Sequence, residues 1–125
     1  MKKVFIVEDE PSLQFFYRQA VTFNDMELLG IAKDGNEALN MFKSFQEKPK
    51  VILMDYRLPI MNGIKITKEI LQIDKKVKII FITADSSVKD QALSVGAFSF
   101  MDKPFSIKIL IQEINKAFKA ITNST

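Results

Sequence analysis

The stretch that decides the fold is VILMD, residues 51–55, in which four apolar residues are followed directly by a carboxylate. Three other apolar runs also lead into polar side chains. They are VFIV at 4–7, before Glu8 and Asp9, IIFI at 79–82, before Thr83, and FSFM at 98–101, shortly before Lys103. Short runs that are apolar at almost every position are typical of strands in a parallel sheet covered by helices on both faces.

Longer stretches between these runs carry apolar residues at helical spacing, so the sequence predicts five successive βα units. The predicted strands are residues 3–7, 27–33, 50–54, 77–82 and 98–101, the second being weak and placed at an edge of the sheet. The predicted helices begin at Pro11-Ser12, after Asp34-Gly35, after Asn62-Gly63, near Ser86-Ser87 and at Ser106. Because crossovers between parallel strands are right-handed, such units form an α/β doubly wound three-layer sandwich.

The helical spacing also predicts which side chains enter the core. In the first helix these are Leu13, Phe16, Ala20 and Val21, and Phe15, Tyr17 and Phe23 are interpreted as residues that fill space. The third helix is expected to bury Ile66, Ile70 and Ile73 or their neighbours. The last helix is expected to bury Ile107, Leu110, Ile111, Ile114, Phe118 and Ile121, and to expose Ile109. We expect one domain over residues 1–121 and a short polar tail over 122–125.

Composition excludes several classes of function. The 125-residue chain has no cysteine and no histidine, which rules out disulfides, thiolate or imidazole metal sites, cysteine nucleophiles and histidine bases. No apolar stretch approaches the ~20 residues that a membrane helix needs, so we expect a cytoplasmic protein without a membrane partner. The net charge of +3 comes from lysines spread along the chain, so nucleic-acid binding by this domain alone is not expected.

The polar residues that follow the strands should meet in one crevice, because the carboxyl ends of parallel strands share one edge of the sheet. Glu8, Asp9 and Asp55 would then form a group of carboxylates that raise one another's pKa unless a cation neutralises them. Oxygen ligands alone favour a hard ion, and Mg²⁺ typically uses one or two carboxylates with water and phosphate oxygens. The sequence therefore predicts a Mg²⁺ site.

A carboxylate beside such an ion is suited to act as a nucleophile toward phosphorus, and we assign this role to Asp55. The ammonium of Lys103 and the hydroxyl of Thr83 would stabilise the charge of the transferred group. Each residue alone also fits an ordinary role: a capping run at Glu8 and Asp9, a turn at Asp55, a helix cap at Thr83 and a solvated lysine at 103. The pattern shared by four strand ends favours the functional interpretation.

The chain resembles the receiver domains of two-component response regulators, in particular single-domain regulators of the chemotaxis type, from Lys2 to about Lys119. The matching segments are VEDE at 7–10, MDYRLPIMNG at 54–63, ITA at 82–84 and MDKPF at 101–105. The resemblance implies a flavodoxin-like (βα)5 fold with a parallel five-stranded sheet in the order 2-1-3-4-5.

The resemblance also implies roles for individual residues. Asp55 would accept a phosphoryl group from the phosphohistidine of a sensor histidine kinase or phosphotransfer protein. Asp9 and Asp55 would bind Mg²⁺, Glu8 would act through water, and the Arg57 main-chain carbonyl would complete the protein ligands. The Lys103-Pro104 bond would be cis. Glu8 departs mildly from the aspartate of the family.

Two further roles concern the signal and its lifetime. Thr83 and Phe100 would form a switch that alters the surface of the fourth helix, fifth strand and last helix, through which partners bind or a dimer forms. Arg57 and Asp85 flank the path of the hydrolytic water in this family. We hypothesise that they form a salt bridge that slows loss of the phosphoryl group.

Other functions compatible with the sequence are a phosphohydrolase that turns over at Asp55 and an interaction module that is not phosphorylated. Such hydrolases often place a second acid two residues after the nucleophile, where this chain has Arg57. We therefore expect a signalling switch rather than a metabolic enzyme. Its setting is a stand-alone regulator, a phosphorelay intermediate or the receiver of a longer protein, and the length favours the first two.

Overall fold

The computed structural model describes residues 2–123 and confirms the alternation of strands and helices. Its strands are β1 (Lys3–Val7), β2 (Glu27–Ala32), β3 (Val51–Asp55), β4 (Lys78–Thr83) and β5 (Ser99–Asp102). Its helices are α1 (Pro11–Thr22), α2 (Gly35–Ser44), α3 (Gly63–Ile73), α4 (Lys89–Ser94) and α5 (Ile107–Asn123). A single 3₁₀ turn, Ser86–Val88, precedes α4.

The five strands are parallel and lie in the order β2-β1-β3-β4-β5, so the predicted flavodoxin-like topology is confirmed. The last three strands end one residue later than the sequence predicted. Asp55 pairs with Ile82, and Thr83 pairs with Asp102, so both polar residues belong to the ladder. The prediction stopped too early because it treated each polar residue as the first residue of a loop.

Alternate residues of each strand point into two separate cores. On one face, α1 and α5 cover a cluster that contains Ile6, Leu53, Ile80, Ile82 and Met101. On the other face, α2, α3 and α4 cover a cluster that contains Phe5, Ile52, Met54, Ile79 and Phe81. This arrangement is the predicted three-layer sandwich, and it leaves the carboxyl edge of the sheet free for polar groups.

The predictions of side-chain burial were correct in part. In α1, Ala20 and Val21 are buried and Phe16 is partly buried against the same cluster, as predicted, and Tyr17 is also buried there. Phe15 and Phe23, which were expected to fill space, are exposed. Ile73 and Ile107, which were expected to be buried, are also exposed; Ile73 is the last residue of α3 and Ile107 is the first residue of α5. Ile109 is exposed as predicted.

The end of the chain differs slightly from the expected tail. The helix α5 continues to Asn123, so part of the segment 122–125 is helical, and residues 124 and 125 lie outside the described residues. Among residues 2–123, no helix has the length and apolar character needed to cross a membrane.

Candidate phosphoryl and metal site

The register of the sheet brings four strand ends together at one edge. Val7 pairs with Ala32 and with Met54, so Glu8 follows β1 at the level where β3 ends in Asp55. Main-chain hydrogen bonds hold the loops close to the sheet: Glu8 N–H donates to Ala32 O at 2.9 Å, and Lys103 N–H donates to Thr83 O at 3.0 Å. One pocket is therefore lined by the predicted site residues Glu8, Asp9, Asp55, Arg57, Thr83 and Lys103, whereas its lining does not include Phe100.

This pocket has a volume of about 510 Å³. It is lined by Glu8, Asp9, Glu10, Pro11, Asp55, Arg57, Thr83, Ala84 and Lys103. Carboxylate oxygens of Glu8, Asp9 and Asp55 all lie within 4.8 Å of one another, although Glu8 is only 1% exposed and Asp55 only 7%. Three acids this close, two of them removed from water, repel one another strongly unless positive charge is added.

Part of that positive charge comes from Lys103. Its Nζ lies 3.4 Å from Asp55 Oδ1 and 3.6 Å from Glu8 Oε1, so one ammonium faces two buried carboxylates. One cation does not fully compensate them. Burial and the charge of Asp55 raise the pKa of Glu8 to about 7. Burial also raises the pKa of Asp55, against the opposing effect of Lys103.

The hydrogen bonds of the carboxylates leave ligand positions open. Glu8 Oε2 accepts from Glu10 N–H at 3.1 Å, and Asp55 Oδ1 accepts from Tyr56 N–H at 2.8 Å. Glu8 Oε1 is buried and has no hydrogen-bond partner among residues 2–123, although the Lys103 ammonium faces it at 3.6 Å. Oxygen donors in this arrangement fit a hard divalent cation such as Mg²⁺. The predicted ligands Glu8, Asp9 and Asp55 are therefore together, and Arg57 lies in the same pocket wall.

Thr83 and its neighbours form the wall of the pocket at the end of β4. The Thr83 hydroxyl is buried and accepts a hydrogen bond from Asp85 N–H at 3.1 Å. The Asp85 carboxylate lies 3.6 Å from Arg57 Nη2, so the predicted ion pair is present. Hydrogen bonds from Ser87 to Asp85 lower the pKa of Asp85, which keeps it ionised opposite the guanidinium. The effect of this pair on phosphoryl lifetime stays a prediction.

Phe100 lies on β5 and is partly buried at the edge of one core cluster. Its ring stacks on Phe81 with 6.2 Å between centroids. Phe81 precedes Thr83 by two residues on β4, so the two side chains lie on the same face of the sheet. The Lys103-Pro104 peptide bond is cis, as the resemblance implied.

Sequence analysis did not predict two features of the site. The first is that Lys103 contacts Glu8 as well as Asp55. The second is an aromatic group in which Tyr17 of α1 stacks on Phe105, two residues after Lys103. The sequence does contain a pattern that predicts burial of Tyr17. This residue lies three and four residues before Ala20 and Val21, on the apolar face of α1.

Comparison with known proteins identifies the family. The family model of the response regulator receiver domain matches residues 4–115. The chain belongs to this family. It is 34% identical over 120 residues to the chemotaxis protein CheY of Thermotoga maritima, covering 94% of this chain and 98% of that protein. A CheY-like receiver domain structure from Methanospirillum hungatei superposes with a TM-score of 0.92 at 21% identity, covers 100% and 99% of the two chains, and supports the fold.

Receiver domains also occur within longer relatives. This receiver domain is 34% identical over 122 residues to the alkaline phosphatase synthesis transcriptional regulatory protein PhoP of Bacillus subtilis. The match covers 96% of this chain and 48% of that protein. The family assignment confirms the predicted two-component phosphoacceptor class, in which the domain is a signalling switch rather than a classical enzyme.

Proposed function

We propose that this receiver domain accepts a phosphoryl group on Asp55 from the phosphohistidine of a sensor histidine kinase or phosphotransfer protein. The observation that carries the proposal is the environment of Asp55. Its carboxylate is buried at the end of β3, within 3.4 Å of an ammonium and within 4.8 Å of two other carboxylates. A buried anion beside both a cation and open oxygen ligands suits a site for transferring a charged group.

Glu8, Asp9 and Asp55, with the main-chain carbonyl of Arg57, would hold the Mg²⁺ ion, Glu8 acting through water. When bound, the ion supplies the positive charge that offsets the repulsion among the carboxylates and the charge of the phosphoryl group. Glu8 Oε1 supports this assignment, because it is buried and, among residues 2–123, faces the Lys103 ammonium at 3.6 Å without forming a hydrogen bond, which leaves it able to accept one from a metal-bound water.

In the transfer itself, an Asp55 carboxylate oxygen attacks phosphorus, the new P–O bond forms, and the P–N bond of the phosphohistidine breaks with its electron pair passing to the imidazole. Lys103 pairs with an oxygen of the moving group. The Thr83 hydroxyl, which now accepts a bond from Asp85 N–H, donates its own hydrogen to another. Neither residue has to abstract a proton, which agrees with the absence of histidine from the chain.

Phosphorylation would be transmitted through Thr83 and Phe100. Movement of Thr83 toward the phosphoryl group would free space beside β4 that the Phe100 ring can enter, since this ring already packs on Phe81. The result would be an altered surface formed by α4, β5 and α5, for a downstream protein or a second receiver domain. The change of surface would be driven by the contacts that the phosphoryl group makes in the phosphorylated state and that the unphosphorylated state lacks.

The test is incubation of the protein with Mg²⁺ and acetyl phosphate, followed by intact-mass analysis. The wild type should gain the mass of one phosphoryl group, and Asp55→Asn should gain none. Excess EDTA should abolish the gain. Asp74→Asn is a matched control, since Asp74 caps the end of α3 away from the pocket, and it should behave as the wild type. A gain on Asp55→Asn, or none on the wild type, would refute the proposal.

The Arg57–Asp85 ion pair supports a separate kinetic proposal, that it obstructs the path of hydrolytic water. Arg57→Ala should shorten the half-life of the phosphorylated protein after acetyl phosphate is removed. Arg18→Ala, a change at the exposed arginine of α1, should leave the half-life unaltered. An unchanged or longer half-life for Arg57→Ala would show that the ion pair does not protect the acyl phosphate.

A further inference from the structure

Three aromatic rings, from α1 and from the segment that carries Lys103, pack together, and we call them the aromatic bracket: Phe16, Tyr17 and Phe105. Tyr17 and Phe105 stack with 6.2 Å between centroids and an interplanar angle of 1°. Phe16 meets both rings edge-on, at 5.8 Å from Tyr17 and 6.0 Å from Phe105. The bracket joins α1 to the segment that connects β5 with α5.

Tyr17 is the most enclosed member of the bracket, at 2% exposed. Its hydroxyl is buried and has no hydrogen-bond partner among residues 2–123. Burial, with the charges of Glu8 and Asp55, raises the pKa of Tyr17, so the ring stays neutral. A hydroxyl without a partner adds no stability in a core, and the ring is therefore the part of the side chain that contributes to packing.

The segment held by Phe105 is the one that carries Lys103. Lys103 is fixed on one side by its N–H bond to Thr83 O at 3.0 Å, and only Pro104 separates it from Phe105 on the other side. Its long side chain has several rotatable bonds and makes no hydrogen bond shorter than 3.4 Å among the described contacts. The position of its ammonium therefore depends on how firmly the main chain beside it is held.

We propose that Tyr17 is a positioning residue for Lys103: its ring, stacked on Phe105, fixes the β5–α5 segment so that the ammonium faces both Glu8 and Asp55. This inference rests on the proposed function, since the placement of the Lys103 ammonium is taken to speed phosphorylation of Asp55. Among residues 2–123 the Tyr17 hydroxyl makes no hydrogen bond to a metal ligand, so we assign Tyr17 no direct role in the transfer. It acts through Phe105 and the main chain.

The first test compares three variants by their initial rate of phosphorylation with Mg²⁺ and acetyl phosphate. Tyr17→Leu removes the stack and should lower the rate about tenfold or more, because small misplacement of a charge-stabilising group is costly. Tyr17→Phe keeps the ring and should stay within about twofold of the wild type. Phe42→Leu is the matched control, a fully buried aromatic residue in the opposite core, and should lower stability without lowering the rate.

The second test asks whether the lower phosphorylation rate of Tyr17→Leu depends on Lys103. In a Lys103→Ala background, Tyr17→Leu should change the residual rate by less than about twofold, since the group that it positions is gone. An equal loss in both backgrounds would overturn the proposal, as would an effect of Phe42→Leu as large as that of Tyr17→Leu. If Tyr17→Leu does not fold, Phe105→Leu removes the other half of the stack and should give the same result.

A readout without phosphorylation separates this inference from the proposed function. The ¹³Cε resonance of Lys103, assigned with Lys103→Arg in protein labelled at lysine, should shift toward the values of exposed lysines in Tyr17→Leu. It should stay in place in Tyr17→Phe and Phe42→Leu. If the wild type takes up no phosphoryl group, the proposed function fails while this resonance still decides the role of Tyr17. An unmoved resonance in Tyr17→Leu would refute the positioning role.

Discussion

Replacing Glu8 with glutamine should make the metal-free protein more stable at pH 8, although the substitution removes the charge opposite Lys103. Burial raises the pKa of Glu8 from 4.5 to about 7 in the folded protein. The folded state therefore binds more protons than the unfolded state between these two values. The stability of the wild type should fall as pH rises through this interval, with the loss complete above about pH 7.

The size of the effect follows from the same two values. The difference between about 7 and 4.5, at 1.36 kcal/mol per pKa unit, is about 3 kcal/mol above pH 7. The attraction between Glu8 and Lys103 is already included in the raised pKa of Glu8. Glutamine still presents an oxygen to Glu10 N–H, but its buried amide group loses hydrogen bonds to water, which offsets about 1 kcal/mol of the gain. We therefore expect Glu8→Gln to be more stable than the wild type by about 2 kcal/mol at pH 8, and by much less at pH 4.

Urea unfolding in EDTA, followed by circular dichroism from pH 4 to pH 8, measures this difference. Glu10→Gln is the matched control, because Glu10 is an exposed neighbour, and its pH profile should follow that of the wild type. Adding Mg²⁺ should stabilise the wild type more than Glu8→Gln, since ligand binding to the folded state adds stability. If Glu8→Gln and the wild type show parallel profiles, or the variant is the less stable at pH 8, the argument from burial is wrong.

Three further predictions concern the loop between β3 and α3, and urea unfolding checks each. Ile60 has a φ of 73° and is 73% exposed, so Ile60→Asn should raise stability by about 0.5–1 kcal/mol, whereas Ile60→Val should give no gain. Asn62→Ala removes the cap that accepts from Lys65 N–H and should cost about 1 kcal/mol. A Cβ on Gly63 would lie 2.1 Å from Asp55 O, so Gly63→Ala should cost about 3 kcal/mol. A smaller loss for Gly63→Ala than for Asn62→Ala would contradict this crowding.

Burial in α1 shows where sequence periodicity stops being informative. The spacing of apolar residues correctly predicts a helix with one buried face, and Ala20 and Val21 lie on it. It does not decide between the adjacent aromatic residues Phe16 and Tyr17, which differ by one step around the helix. The packing of α1 against the sheet and α5 rotates Tyr17 inward, and this choice creates the stack on Phe105.

The loop after Asp55 shows a second limit. The sequence predicts a helix that follows Asn62-Gly63, which is one residue later than α3 begins, and it does not single out Asn62 as the N-cap. It gives no sign that the Gly63 Cα lies against the carbonyl of Asp55, or that Ile60 adopts a left-handed conformation. Such contacts depend on how the main chain closes in three dimensions.

Taken alone, the sequence determined the class of fold and the chemical composition of the site, because apolar runs that end in carboxylate, hydroxyl and amine side chains are local features of the chain. Only the tertiary structure decided that one ammonium is shared by Glu8 and Asp55 and which aromatic rings support it. These pairings join residues up to 95 positions apart (from 8 to 103), and their distances are set by strand register and helix rotation, which no single segment encodes.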